Sequence, residues 1–240
     1  VANYSVRNSA IVQLQTDVNK TANGLLRHIE RTLGDSLEAL ITVANAGAEA
    51  CSRRQLVVMR RTVFEVDGIK ELGVSGGDGS GICNHIGDDL RVRTVSVPIQ
   101  STNRNVLLQI VEVRGSGKPA MMVSWVVNSS EREVAIFPTS VLLSGAMFSP
   151  ADRSAAIIKL TNGATVAARS WDNELVEARG WTVGTATSTR YPIAIKAAYD
   201  TDQRVNRALS VMNFINAAGL CLVIVMGALA IRLWRMHEQP

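Results

Sequence analysis

Proline is missing from the first 97 residues of this 240-residue chain, and the whole chain holds six. A long unbroken helix at the start is therefore allowed. Three cysteines are too few for a disulfide-framework protein. Aromatic residues contribute 5% and charged residues 19%, below the roughly 25% charged of an average globular domain. The net charge is only +4 and the basic residues are spread along the chain, which excludes a clustered nucleic-acid footprint. Hydrophobic residues make up 47%, which excludes a disordered chain, and the glycines have no three-residue period, which excludes a collagen-like one. The length allows one large domain or two small ones.

Charge is absent altogether from Ala208 to Ile231. Those 24 residues cover about 36 Å as a helix, enough for a hydrocarbon core of about 30 Å. Arg232 and Arg235 follow, and Trp234 between them suits an interface. A buried core helix is the competing reading, but few core helices stay uncharged for so long. Asn213 and Asn216 suit hydrogen bonds to a second helix or a place near the headgroups. Arg204 and Arg207 precede the span, so the basic residues nearly balance and do not orient it. The valine at position 1 suggests a segment of a longer product, with an export signal or earlier helix upstream and a cytoplasmic domain beyond Pro240.

Before the span, residues 3–50 read as one helix. Ile11, Leu14, Val18, Ala22, Leu25, Ile29, Leu33, Leu37, Leu40, Ala44 and Gly47 recur at close to 3.6 residues, one buried stripe. Gly24 and Gly34 weaken it and are candidate kinks. Ser52-Arg53-Arg54-Gln55 has capping-box spacing, so a second helix starts near Arg53, buries Leu56, Met59, Val63 and Phe64, and ends at Asp67-Gly68. Strands follow at Ile69–Ser75, Ile82–Ile86, Arg91–Ile99, Asn105–Val113, Ala120–Val127 and Glu133–Phe137, with a turn at Gly76-Gly77-Asp78-Gly79. Pro138 suits the first turn of a short helix through about Met147. Asn162-Gly163 between Ala155–Leu160 and Ala164–Arg169 is a hairpin signal, and Trp181–Ser188 and Ile193–Tyr199 close the sheet. The order predicts an α+β fold: a long stalk helix and a short helix on one face of an antiparallel sheet, then a transmembrane helix. Residues 1–202 form one domain in this reading, and 203–236 the membrane helix with its flank.

Few residues suggest chemistry. Cys51 falls at the end of the long helix and Cys83 inside the strand after the glycine turn. They are either a disulfide closing a loop of about 33 residues or two buried thiols. Cys221, inside the span, serves packing. Cys83 and His85 share a strand face, but no third ligand accompanies them, so His85 reads as exposed and no metal site is expected. A nucleophilic pairing of Cys51 or Cys83 with His28 or His85 has no local support. Gly76-Gly77-Asp78 opens like a GGDEF cyclase signature, but Gly79-Ser80 stands where Glu-Phe belongs, so it is a turn. Glu38-Ala39-Leu40 spells EAL within a helix, with Thr42 where that family's motif has Arg, and is a coincidence. No phosphate-cradling or dinucleotide loop occurs, so no cofactor is expected. Arg53, Arg54, Arg60 and Arg61 read as a solvated helix face.

From Leu40 to Asn84 the chain has Cys51 after a helix, Arg60 and Arg61 leading to Phe64, Ile69-Lys70-Glu71-Leu72-Gly73-Val74, a Gly/Asp turn, and Ile82-Cys83. This resembles the CSS-motif sensor domain of bacterial inner-membrane cyclic di-GMP phosphodiesterases. In that family the domain lies between two membrane helices and precedes a cytoplasmic EAL domain. The motif Cys-Ser-Ser stands here as Cys83-Asn84-His85, so only the cysteine matches. The resemblance implies a Cys51–Cys83 disulfide whose redox state controls the enzyme. It places residues 1–207 in the periplasm and the span in the inner membrane, puts catalysis outside this segment, and brings thiol oxidoreductases as partners. A homodimer through the stalk and membrane helices would carry the signal. The alternative is a Cache-type small-molecule sensor of a chemoreceptor or histidine kinase, with structural cysteines and a ligand pocket in the sheet.

Overall fold

The computed structural model describes residues 2–47, 49–113, 117–144, 153–169 and 180–237. Helix α1 (Ala2–Ala46) has 45 residues and is about 68 Å long at 1.5 Å per residue. It runs unbroken past Gly24 and Gly34. The expected stripe is buried from Leu14 to Leu33, whereas Ile11 is exposed. Beyond Leu33 the buried positions are Ser36, Ala39, Leu40 and Val43, while Leu37 and Ala44 are only half-buried. The Ser36 hydroxyl donates back to the Thr32 carbonyl, so its burial leaves no unpaired donor.

The remaining elements are α2 (Arg53–Glu65), β1 (Glu71–Gly76), β2 (Gly81–Asn84), β3 (Val92–Thr94), β4 (Ile99–Gln100), β5 (Val106–Val113), β6 (Pro119–Val126), β7 (Glu131–Pro138), α3 (Thr139–Ser144), β8 (Ser154–Leu160), β9 (Thr165–Arg169), β10 (Trp181–Thr187), β11 (Ile193–Asp200) and α4 (Thr201–His237). The fold is α+β. The strands form two antiparallel sheets rather than the single one expected: β2-β1-β7-β6-β5-β3 with β4 beside β5, and β10-β11-β8-β9. The reason lies at β7. It pairs with β1 on one side and β6 on the other, so the next strand finds no place beside it and begins a second sheet. Pro138 ends β7, and α3 starts at Thr139. The part of that helix expected through Met147 lies outside the described residues. The Asn162-Gly163 hairpin joins β8 to β9, with Gly163 at φ 88°.

The strand expected at Arg91–Ile99 is split into β3 and β4. The Val95 and Ser96 amides both donate to the Ile110 carbonyl, at 2.9 and 3.2 Å, and the Ser96 hydroxyl accepts from Ile110 N at 2.8 Å. Two residues thus oppose one, which is a bulge, and Pro98 offers no ladder donor.

Helix α1 lies along both sheets and shares one core with them. A Cβ on Gly184 of β10 would stand 2.8 Å from the Val18 backbone, so glycine there permits the close approach of α1. Thr21 Oγ1 lies 3.1 Å from the Tyr199 hydroxyl, and Gln15 Nε2 donates to the Val183 carbonyl at 3.1 Å. β11 passes into α4 without a linker, and Asp200 Oδ1 accepts from Gln203 N at 3.0 Å, capping the helix start. The first turns of α4 pack on α1 near Gln13, Leu14 and Asp17. The stretch Thr201–Leu229 is long and apolar enough to cross a membrane, and the side chains of its apolar part, including Cys221, face outward.

Candidate functional site

Helix α1 stops at Ala46, earlier than its apolar pattern suggested, so Cys51 lies in the α1–α2 turn and not on the helix. Cys51 has φ +60°, the only non-glycine residue in the left-handed region among the described residues. A side chain in that region costs on the order of 1–3 kcal/mol and persists only where its surroundings hold it. Here Cys51 is joined to Cys83 by a disulfide, with S–S 2.03 Å and Cα–Cα 6.2 Å. Cys83, in β2, is buried, whereas Cys51 is half-exposed. The bridge fastens the α1–α2 turn to the edge strand of the large sheet.

The capping serine acts as the spacing predicted: Ser52 Oγ accepts from Gln55 N. The glutamine side chain, however, reaches one residue further than in a standard capping box. Its Oε1 accepts from Cys51 N at 2.6 Å, and its Nε2 donates to Glu133 Oε1 at 2.6 Å. Gln55 is therefore buried where a polar cap was expected. Val74 of β1 pairs with Cys83 on one side and with Glu133 on the other. Cys83, Val74 and Glu133 thus form a cross-strand row on the face toward α1. Glu133 is only 3% exposed, and its carboxyl is pushed up to about 8, chiefly by burial and next by the nearby Glu131 carboxylate.

Asn84, second in the Cys83-Asn84-His85 motif, organises the turn after β2. Its Oδ1 accepts from the amides of Ile86, Gly87 and Asp88 at 3.0, 3.1 and 3.0 Å. Its Nδ2 donates to Glu71 Oε1 at 3.0 Å. His85 is half-buried rather than exposed, and its amide donates to the Leu72 carbonyl at 2.8 Å. The Cys83 sulfur is taken by the bridge, which removes it from any metal or nucleophile pairing with His85. His28 sits elsewhere, with Nε2 3.2 Å from the Val141 carbonyl.

Two of the expectations for α2 change. Phe64 is 91% exposed, because the helix turns Gln55, Met59 and Thr62 to the core instead. Arg60 is not simply solvated: its Nε and Nη2 donate to the carbonyls of His85 and Ile86, both at 2.9 Å. This two-pronged grip ties α2 to the motif turn. Replacing Arg60 by Ala is expected to cost about 1 kcal/mol, a modest figure because the side chain is exposed. Urea denaturation checks this, and Arg60→Lys, which keeps the charge but loses the fork, should behave like Ala. The capping box picked out Gln55 but not its link to Glu133, and the grip of Arg60 and the role of Glu133 were missed from the sequence. Glu133 carried a signal: it has the parity of Ala135 and Phe137, on the buried face of a strand.

The chain is similar in fold to solved structures of low sequence identity, three of which follow. The V. cholerae histidine kinase DctB sensor domain is 10% identical with a TM-score of 0.47, over 78% of this chain and 96% of that one. The ligand binding domain of Mlp24 with asparagine is 12% identical with a TM-score of 0.47, over 85% and 99%. An extracellular ligand binding receptor from Desulfohalobium retbaense is 9% identical with a TM-score of 0.39, and the match spans 79% of this chain but only 39% of that receptor. No curated protein matches the chain. Residues 14–208, which hold most of α1, both sheets, the bridge and the start of α4, match the family described as the CSS motif domain associated with EAL, and the chain belongs to that family.

Proposed function

We propose that this chain is the periplasmic redox-sensing domain, with its exit membrane helix, of an inner-membrane cyclic di-GMP phosphodiesterase whose EAL domain lies outside the sequence. The observation that carries this reading is the Cys51–Cys83 bridge, with one buried sulfur and one half-exposed. An external thiol reaches Cys51 first, and disulfides persist in the periplasm. The family's association with EAL supplies the output. The path outward runs along α1, about 48 Å from Ala46 beside the bridged turn back to Leu14. The bridge anchors the turn that ends α1, α1 packs against the first turns of α4, and α4 continues toward the membrane without a linker. A change in how α1 docks reaches α4 directly, and pairing of these helices in a homodimer converts it into two states. Periplasmic thiol oxidoreductases are the partners that set the bridge.

The test is cyclic di-GMP hydrolysis by the full-length protein in membrane vesicles, with the bridge oxidised and then reduced. Rates are expected to differ between the two states, and Cys83→Ser should hold the reduced-state rate under both conditions. Equal rates in the wild-type protein overturn the reading.

A small-molecule sensor is the second reading, and one observation favours it. Ser75 Oγ and Gln109 Nε2 are buried without a hydrogen-bond partner among the described residues. Both lie on the face of the large sheet opposite α1, together with buried Ser124. Polar groups in such a place accept water or a ligand.

A further inference from the structure

The redox reading leaves one buried group unused. We propose that Glu133 couples proton binding to the state of the Cys51–Cys83 bridge, so that through Gln55 the domain reads pH and redox together. The proposal rests on the redox reading and deepens it.

The geometry is a chain of two hydrogen bonds. Cys51 N donates to Gln55 Oε1, and Gln55 Nε2 donates to Glu133 Oε1. Glu133 Oε2 is buried with no partner among the described residues. Among the described residues, what faces this carboxyl offers no counter-charge: Gln55 from α2, Val74 from β1, Trp125 from β6, and from its own strand Glu131, which carries the same charge. Arg53 and Arg54, beside Gln55 on α2, are exposed. A carboxylate in that setting is unfavourable, so the closed bridge holds Glu133 protonated, consistent with its carboxyl standing at about 8.

Opening the bridge undoes this arrangement. Cys51 is kept at φ +60° by its covalent tie, and once freed it relaxes to negative φ. Its amide then leaves Gln55, Gln55 loses its fixed orientation, and water reaches Glu133. The carboxyl falls toward its ordinary range and gives up its proton.

The chemistry balances with a dithiol as reductant. One reductant thiolate attacks Cys51 Sγ, the S–S bond breaks, and the electron pair leaves on the Cys83 sulfur. The second reductant thiolate then displaces Cys51 from the mixed disulfide. The two reductant protons end on Cys51 and Cys83, and the reductant becomes a cyclic disulfide. This exchange is proton-neutral by itself. The Glu133 proton is additional and goes to solvent. Between the two carboxyl values the equilibrium constant for opening therefore rises tenfold per pH unit, and above about 8 it levels off. Acid favours the closed bridge, and mild alkali favours the open one.

The test is the exchange equilibrium of the full 240-residue chain in detergent with a dithiothreitol couple, measured from about pH 6 to about pH 8. The wild-type constant for opening is expected to rise at least tenfold across that range. Glu133→Gln keeps the shape and the Gln55 contact, and its constant should be flat. A flat wild-type curve, or an equal slope in Glu133→Gln, overturns the proposal. Infrared spectroscopy of the wild-type chain gives a second readout that does not depend on the variant folding. A protonated buried carboxyl band should be present at neutral pH in the oxidised chain and vanish on reduction, and its absence from the oxidised chain refutes the proposal. Neither measurement uses the phosphodiesterase. A slope without redox control of hydrolysis would sink the proposed function alone, and redox control without a slope would sink this coupling alone.

Discussion

Cutting the Cys51–Cys83 bridge is expected to cost the folded domain roughly 3–4 kcal/mol. The bridge spans 32 residues in sequence, and closing a loop of that size removes about this much chain entropy from the unfolded state. For a chain of this length the loss corresponds to a fall in Tm on the order of 10 °C. The damage should be uneven. Leu33, Leu40 and Val43 are fully buried in the core that α1 shares with the sheets, so without the bridge α1 stays packed and shifts its seating rather than detaching. Helix α2 has much less to hold it: Met59 and Thr62 are its buried anchors beside Gln55, and Val57 and Phe64 point to solvent. Amide exchange should therefore quicken in α2 and in the turn before it while the β5–β7 ladder stays protected. The two serine variants should also differ. Cys83 is buried, so Cys83→Ser leaves a hydroxyl to be satisfied and costs about 1 kcal/mol more than Cys51→Ser, which sits at a half-exposed position. Thermal and urea denaturation of the chain in detergent, oxidised, reduced and in both variants, measures all of this. A loss below about 1 kcal/mol on reduction would mean that α2 is held by its packing and that the bridge constrains nothing.

The features legible in the sequence are those that depend on local spacing. The absence of proline and a steady 3.6-residue repeat predicted α1, and the serine before Arg53 predicted the start of α2. Period-two alternation and turn residues located the strands to within a few positions. What escaped depends on partners distant in the chain. That β7 is enclosed by β1 and β6, and so divides the strands into two sheets, is a fact of pairing order. Phe64 read as core because it is apolar, yet the helix rotation is set by Gln55, whose partners are a turn amide and a carboxyl 78 residues away. Arg60 read as solvated because it lies among other arginines, yet it alone lies opposite two carbonyls of the motif turn. The site is mostly made of such long-range pairs. Its cysteines could be named from the sequence, and the polar links around them could not.

Asn84 is the position where a single side chain should matter most after the cysteines. It stands where the resembling motif has serine, and its contacts explain why asparagine is tolerated there. Serine hydroxyls and asparagine carbonyls both accept from backbone amides two or more residues on, which is how each closes a tight turn. Asn84 Oδ1 takes three amides at once and its Nδ2 a carboxylate. Removing them with Asn84→Ala should cost about 2–3 kcal/mol, less than the sum of four bonds because Ile86, Gly87 and Asp88 are exposed and water replaces part of what is lost. Asn84→Ser keeps an acceptor on a shorter arm and loses the donor to Glu71, so about half the loss should return. Asn84→Asp keeps the acceptors but sets a carboxylate against Glu71, so its stability should improve on acidification as one of the pair takes a proton. The same order should appear in the amide protection of residues 86–88, and in how fast the neighbouring Cys83 sulfur is released by a dithiol, fastest in Asn84→Ala. If those amides stay protected in Asn84→Ala, then the Arg60 fork and the β1–β2 pairing hold the turn unaided, and the side chain at this motif position has no structural task.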